Sequence, residues 1–597
     1  MKLWILLVLF NALVGLGLCS DITSAVFGKE LDGMPAAFGD FDSDELTDVF
    51  VLRNDGRTVQ IMLASNEEPL LQARKKYSCT FDEKVSSVVP GDFDGDVFMD
   101  VLVTTHVNKT TNVFILWGSN ERLDCSDAKV PLIQMRGQPL AIDYNQDMII
   151  DLFGSDVHGI RTFWIFSTNR TEQTPIVMKK PKKLEKLLPI RRPHANAFLN
   201  LNSDYYADLV VTTDEYFEIW HGKENGFEFK ETIPLPTIPT LKTLTIGQSL
   251  HLDVELEGKT DLILPVCSLN SNNSCEQSSI MIYSDGKWQD ININFMDNSK
   301  TQWNFAFDGG RRYVDTITIR GGDFNMDGYP DLLATLQSNT SPPKMRSFLL
   351  ENVQCDQNCG AFDRTFTVRW NALNPFVNES VMAVFYDFYQ DGVLDVILVL
   401  KDLKDKNIYK TAAFKNSLDY DANFLKVMVL TGRTNSKYPI SPGSSGKKKR
   451  TYGTNLPGPS ISYQTTTQDS RLRNAIAAQL PQSAHFSLNL PYTTFGLGRT
   501  PNFIDYLTIG LSNRSREWPQ IIPNSQMVVI PNPVTDPSRW KAQLFVTPSK
   551  LILLSAAALT ATCGLIIAII AALYWKERRE DKIEKLQEAH RFHFDAM

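Results

Sequence analysis

Seven related acidic turns, starting 52, 51, 57, 53, 70 and 64 residues apart and each leading into a strand-like apolar run, predict an all-β chain built as a seven-bladed β-propeller. An apolar leader, six glycosylation sequons and one long apolar run near the C-terminus predict that the ring is held outside a cell by a single membrane helix. The predicted order is a signal peptide over 1–19, the propeller over 22–435 and a flexible basic linker over 436–450. A small membrane-proximal β module over 451–535, a transmembrane helix over 551–574 and a cytosolic tail over 576–597 complete it.

The sharpest copy of the turn runs from Gly322 to Asp331. Asp323, Asn325, Asp327 and Asp331 put side-chain oxygens at positions 1, 3, 5 and 9, and Gly328 at position 6 lets the backbone turn sharply. Alternate side chains of such a loop point inward, where their oxygens replace water around a hard divalent cation. Three further sets keep oxygens at all four positions: Asp40, Asp42, Asp44 and Asp48; Asp92, Asp94, Asp96 and Asp100; Asp143, Asn145, Asp147 and Asp151. A worn set keeps Asp387, Asp391 and Asp395 but has Tyr389, a poor ligand, at position 3. Two more, Asn200 to Asp208 with lost charge and Asp253 to Asp261 with longer Glu side chains, read as plain turns before cation loops, because Asp and Asn bond their own backbone.

An EF-hand would need an acid at position 12 and helices on both sides. Position 12 here is Val51, Val103, Gly154, Val211, Leu264, Ala334 and Leu398, followed or flanked by runs such as Val49-Phe50-Val51-Leu52 and Val396-Ile397-Leu398-Val399-Leu400. β-branched runs bounded by turns are buried strands. A repeat of this length, made of short strands, is one four-stranded blade.

The turn, preceded by Phe-Gly, Pro-Gly or Gly-Gly, resembles the FG-GAP repeat of integrin α-subunit propellers. That resemblance implies structural calcium at several loops, a cell-surface or extracellular protein ligand, and cell adhesion. The layout out to the tail is similar to that of single-pass FG-GAP surface proteins. It implies modulation of T-cell function, adhesion between epithelial cells, a released ectodomain, and contacts of the tail with RuvB-like ATPases and tubulin. The chain has no I-domain insertion and no long legs, which speaks against integrin-style heterodimers. The segment from Pro501 to Pro531 resembles the β-rich module that follows FG-GAP repeats in other secreted proteins.

Taken from its start, Met1-Lys2, the apolar run Leu3–Leu18 and Cys19-Ser20-Asp21 form a signal peptide. An oxidising compartment then favours disulfides among Cys79, Cys125, Cys267, Cys275, Cys355 and Cys359. The expected pairs are Cys267 with Cys275, Cys355 with Cys359, and Cys79 with Cys125 between neighbouring blades. Zinc is disfavoured, since the one Cys-x3-Cys pair has no His nearby. Sequons stand at Asn108, Asn169, Asn272, Asn339, Asn378 and Asn513, all before the membrane run. Calcium suits the loops better than magnesium, which keeps its water, and affinities of about 10⁻⁴ to 10⁻³ M match an extracellular structural ion.

Lys447-Lys448-Lys449-Arg450 is either solvated surface or a proprotein-convertase site. Leu551 to Tyr574 is 24 residues without a charge, and Lys576, Arg578 and Arg579 after it place the C-terminus in the cytosol. Ala556, Thr560 and Gly564 form a small-residue stripe compatible with helix pairing. The tail balances six basic against six acidic side chains, and Ile583, Leu586 and Ala589 suggest a short amphipathic helix.

Net charge is −8, much of the acid lying in the loops, so nucleic-acid binding is disfavoured. FG-GAP propellers also accompany a phospholipase, but no Gly-x-Ser-x-Gly, His-Glu-x-x-His or P-loop is present and no catalytic site is predicted. Two readings remain beside recognition: a structural or chaperone-like membrane subunit acting through its tail, and a calcium-dependent hydrolase.

Overall fold

A computed structural model describes residues 19–594. It leaves out 120–122, 238–243, 285, 308–314, 357–361, 374–378, 403–407, 418–421, 435–440, 443–447, 450–451, 467–471, 483–485, 500–502 and 547–549. Residues 1–18 of the predicted 1–19 leader, together with Lys447, Arg450, Asn378 and Cys359, lie outside the described residues, whereas Cys19 is paired in a strand.

Antiparallel strands build seven blades. Blade 1 is Met34–Gly39, Asp48–Leu52, Thr58–Ala64 and Leu71–Thr80 in order. Its first three strands are almost wholly buried, as near-continuous apolar runs require when both faces of a sheet are covered. Blades 2 and 3 share the long strand Ile133–Ile142, whose first part pairs with Thr110–Leu116 and whose later part pairs with Asp151–Asp156. Blade 7 is closed by the chain's other end: Cys19–Asp21 pairs antiparallel with Tyr409–Asn416. That pairing joins the two ends of the ring and covers what would otherwise be an open strand edge.

Each acidic turn joins the first strand of a blade to the second, from Gly39 to Asp48 in blade 1 through Tyr386 to Asp395 in blade 7. The glycine before the turn serves packing between blades rather than the turn itself. A Cβ on Gly39, Gly91 or Gly322 would lie 2.7, 2.3 or 2.8 Å from Met99, Ile150 or Leu394, the position-8 residue of the following blade's loop. Where the residue before the turn is large instead (Ile142, Leu199, Leu252, Tyr386), the following blade carries Ala207, Thr260, Pro330 or Thr47 at position 8. Volume is traded across each blade boundary, as close packing demands.

A second module begins earlier and ends later than the expected 451–535. Two four-stranded sheets form it: Thr493–Gly498, Asn423–Val429, Ser525–Ile530 and Lys541–Val546 in one, and Leu472–Ala478, Ser460–Thr466, Ile504–Leu511 and Arg514–Ile521 in the other. Asn423–Val429, which the sequence reading assigned to the propeller, instead runs parallel to Ser525–Ile530 inside this sandwich. Leu425, Val427, Ile461, Leu507, Ile509 and Trp540 fill the space between its sheets. In the expected flexible linker, Ser441–Pro442 pairs with Lys448–Lys449 in a two-residue ladder.

The sandwich stands on the loop face of the ring, with edge strands Leu472–Ala478 and Thr493–Gly498 against it. Ile476 N–H reaches Asp253, Gly496 N–H reaches Asp323, and Arg473 reaches the Asp327 carbonyl. From the same module Gln482 and the residues Phe486–Leu490 reach into the ring's centre. The Gln482 amide exchanges hydrogen bonds with both backbone groups of Phe38, and Arg320 donates to the Phe486 carbonyl at 2.6 Å. Phe486 and Leu488 are buried in the apolar cluster that holds Val85, Met345 and Val381. The second module therefore plugs the propeller.

A separate unit holds one helix, Lys550–Phe594, the only described helix long and apolar enough to cross a membrane. The short amphipathic helix expected in the tail is the unbroken continuation of this one.

Candidate functional site: the seven acidic loops

All seven loops follow one backbone path. Positions 4 and 6 both have positive φ in every copy: Ser43 and Glu45, Gly95 and Val97, Gln146 and Met148, Ser203 and Tyr205, Leu256 and Gly258, Met326 and Gly328, Gln390 and Gly392. Left-handed backbone at ordinary residues is strained, and for β-branched Val97 at 88° markedly so, which persists only where the surroundings over-determine it. The position-1 carboxylate does much of that. Asp40 accepts from the N–H of Asp44 and of Glu45, each at 3.0 Å, and Asp143, Asp253 and Asp387 accept from the same two positions of their own loops.

Position 9 has a role that sequence reasoning missed. In six blades its two oxygens staple the loop to the blade. Asp48 takes the N–H of Phe41 and of Ala64, Asp100 those of Phe93 and Gly118, and Asp151 those of Tyr144 and Phe166. Asp208, Asp331 and Asp395 bond Leu201 and Gly222, Phe324 and Asn352, and Phe388 and Asn416. Asp261 bonds Val254 N–H and the Ser284 side chain. One partner opens the loop and the other ends the third strand. A signal was available, since Asp stands at position 9 even in the three worn copies.

Burial and like charge set the electrostatics. Burial first, then Asp94 and Asp96, push Asp92 up to about 8. Asp323 rises to about 7 through burial and then Asp327, and Asp253 and Asp151 to about 7, chiefly through burial. Asp40, Asp48 and Asp100 are held well above the usual carboxylate range by burial and then their neighbouring aspartates. Carboxylates crowded this way in low dielectric favour any counter-charge that enters.

What supplies the counter-charge differs between blades. In blade 1 one oxygen each from Asp40, Asp42 and Asp48 lie within 4.8 Å of one another, and Asp42 Oδ1 is buried with no partner among the described residues. Blade 2 groups Asp92, Asp94 and Asp96 within the same span, and Arg170 reaches Asp94 at 2.5 Å and Asp96 at 3.0 Å from the rim. In blade 6 Asp323 Oδ1 is likewise buried and unpartnered, while Asn325 bonds Asp327. Blade 3 pairs Asn145 with Asp147, and blade 4, with Asn200 Oδ1 buried and unpartnered, pairs Asn202 with Asp204. In blade 5 Glu255 is spent on Asp363 N–H at 2.6 Å. Blade 7 differs most: the buried ammonium of Lys426, a sandwich residue, lies 3.5 Å from Asp387 Oδ2 and 2.6 Å from Gln390 Oε1. Tyr389 turns outward under Lys415. The oxygen sets of blades 1, 2 and 6 fit a hard divalent cation, their orphaned or clustered oxygens being the ones such an ion binds.

Two disulfides between described residues brace the ring. Cys79–Cys125 joins blade 1 to blade 2, and Cys267–Cys275 joins neighbouring strands of blade 5. Cys355 is disulfide-bonded. The sequon residues Asn108, Asn169, Asn272, Asn339 and Asn513 are all exposed.

Family models match at both modules: an FG-GAP-like repeat over residues 19–103, and the model described as "ITFG1, C2 domain" over residues 451–545. The T-cell immunomodulatory protein of Mus musculus is 39% identical over 607 residues, covering 97% of this chain and 94% of its own. That of Homo sapiens is 37% identical over 613 residues, with the same coverage. Protein linkin of Caenorhabditis elegans is 28% identical over 607 residues, covering 95% of this chain and 96% of its own.

Proposed function

We propose, from the premise that this chain belongs to the T-cell immunomodulatory protein family, that it is a single-pass cell-surface glycoprotein whose calcium-stabilised propeller recognises another protein. The observation that carries the reading is the plugged ring. A propeller braced by disulfides, by stapled loops and by an inserted segment is a rigid platform, and rigid frames with variable loops suit recognition. The names of the relatives point to an effect on T cells, and the integrin-like repeat to adhesion; both are part of this proposal, as is release of the ectodomain. The N-terminal ring lies outside the cell in this reading, with Asn108, Asn169, Asn272, Asn339 and Asn513 open to glycosylation. Tail contacts with RuvB-like ATPases or tubulin remain a separate, intracellular part of the proposal.

Calcium is assigned a structural role: bound, it supplies the positive charge that crowded carboxylates lack. The chain's own residues do the rest. Asp40, Asp92 and Asp323 orient their loops, Asp48, Asp100 and Asp331 pin them to the blades, and no step of bond making or breaking is assigned to any of them. The test is saturable binding of the full chain in nanodiscs to lymphoid and epithelial cells, with and without calcium, alongside thermal melts. Calcium-raised melting with calcium-sensitive binding to one surface protein is expected. Capture of partners through the tail alone, with cells unlabelled by the ring, would refute the recognition reading.

A further inference from the structure

The metal-loop face is covered by the sandwich, and the opposite mouth of the central channel is a different kind of surface. There residues at or just before the first strands of blades 2, 3 and 4 line a cavity of about 470 Å³. Buried Phe486 lines it, and Val85, Ile190 and Pro193 add apolar wall. Among the described residues its rim carries Lys84, Arg136, Arg191 and Arg192 against one carboxylate, Asp315, in a chain whose formal net charge is −8.

The cations are not equivalent. Arg191 is used structurally, donating to the carbonyls of Ile246 and Gly247, with Asp214 at 4.0 Å. Buried His194 is held by the Gln138 carbonyl at 2.8 Å and by Asn196 N–H. Arg136 and Arg192 have neither a hydrogen-bond partner nor an acidic partner among the described residues. Arg192 lies against the backbone at Gly137, where an added Cβ would sit 3.2 Å from its Nε, and Arg136 lies against Gly159. Burial and then the charge of Arg136 both lower Arg192 below the usual guanidinium range. Two guanidiniums on the rim of one cavity, neither of them paired, gain from an anion that bridges them.

We propose that this channel mouth binds an acidic peptide segment of a partner protein, with a carboxylate across Arg136 and Arg192 and an adjacent apolar side chain lowered onto Phe486. Guanidinium forks match carboxylates two hydrogen bonds at a time, which favours a carboxylate over a point-charge contact. The cavity is many times the size of a lone small anion, and its apolar depth gives a sulfated sugar nothing to contact. The proposal deepens the recognition reading by giving it a face and a ligand chemistry, and it rests on that reading for its biological sense.

The experiment uses the full chain in nanodiscs, with calcium present, and fluorescence anisotropy of a fluorescein-labelled peptide carrying two Asp-Leu-Glu triplets. A peptide with Lys in place of every acid and a heparin-derived hexasaccharide are the comparison probes. Saturable binding of the acidic peptide is expected, weakened about tenfold or more by Arg136→Ala with Arg192→Ala, as befits loss of charged hydrogen bonds. Both side chains are exposed, so the melting temperature stays as it was, and Arg136→Lys with Arg192→Lys restores only part of the affinity. Equal binding to the double alanine variant, no saturable binding, or tighter binding of the hexasaccharide through the same arginines would each overturn the proposal. If the peptide fails while the chain still binds cells, the site falls and the recognition reading stands. If the peptide binds and cells do not, the reverse holds.

Discussion

The loops of blades 1 and 7 follow the same backbone path, with the same pair of left-handed residues and the same position-9 staple, yet their carboxylates face different things. In blade 1, Asp40, Asp42 and Asp48 converge on one another and leave a buried oxygen of Asp42 unpartnered. In blade 7, a lysine from the sandwich reaches in and sets its ammonium beside Asp387, with 1% exposure on both side chains. The contrast teaches that the loop is first a folding motif and only second an ion site. Its shape is held by its own Asp–backbone bonds, and the source of the counter-charge is decided by whichever strand passes over it.

The sharpest way to separate shape from ion is to remove a staple. Asp100→Ala strips two buried N–H groups, of Phe93 and Gly118, of their acceptor, and should cost about 3 kcal/mol or more of stability with or without calcium. Denaturant melts that recover fully on adding calcium would contradict the staple role. Next in size is the lysine. Lys426→Met leaves Asp387 buried without its partner, a loss of about 3 kcal/mol by analogy with broken buried pairs. Millimolar calcium should recover part of that loss, making blade 7 behave like blade 1; a variant that calcium leaves untouched would show that the ammonium does not stand in for an ion.

Acidity gives a gentler test. Asp92, Asp323, Asp151 and Asp253 have folded-state values of about 7 to 8, above the value near 4 expected in the unfolded chain, so the folded state binds more protons between the two. In chelator, thermal stability should therefore fall as pH rises from about 5 to 8, and calcium should flatten the slope. A melting temperature that climbs with pH in chelator would reverse the sign and break the account. The smallest effect belongs to Asp42→Asn, which leaves the Asp40 turn bonds in place. It should change the calcium-free melt by about 1 kcal/mol or less while removing part of the calcium-induced rise. An undiminished rise would take blade 1 out of the set of ion sites.

Much of this was legible beforehand, and the reasons are local. Alternating oxygens from Asp40 to Asp48 and the apolar runs after them specify a turn and a buried strand within a dozen residues, so the repeat and its blades could be read directly. The spacing of cysteines and the short loop between Cys267 and Cys275 made that pair readable too. Lys426 was not legible, because it lies 39 residues beyond Asp387 in a strand assigned to the wrong module. Arg136 with Arg192, and Phe486 in the channel, depend on parts of the chain that only folding brings together.

By itself the sequence determined the number of turns, their internal bonding and the apolar run fit to cross a membrane, since each follows from side chains a few residues apart. The tertiary structure alone decided which loops lie under the sandwich, which carboxylate meets an ammonium and which arginines share one cavity rim. Those outcomes depend on packing between segments hundreds of residues apart, such as Phe38 with Gln482, and no local pattern carries that information.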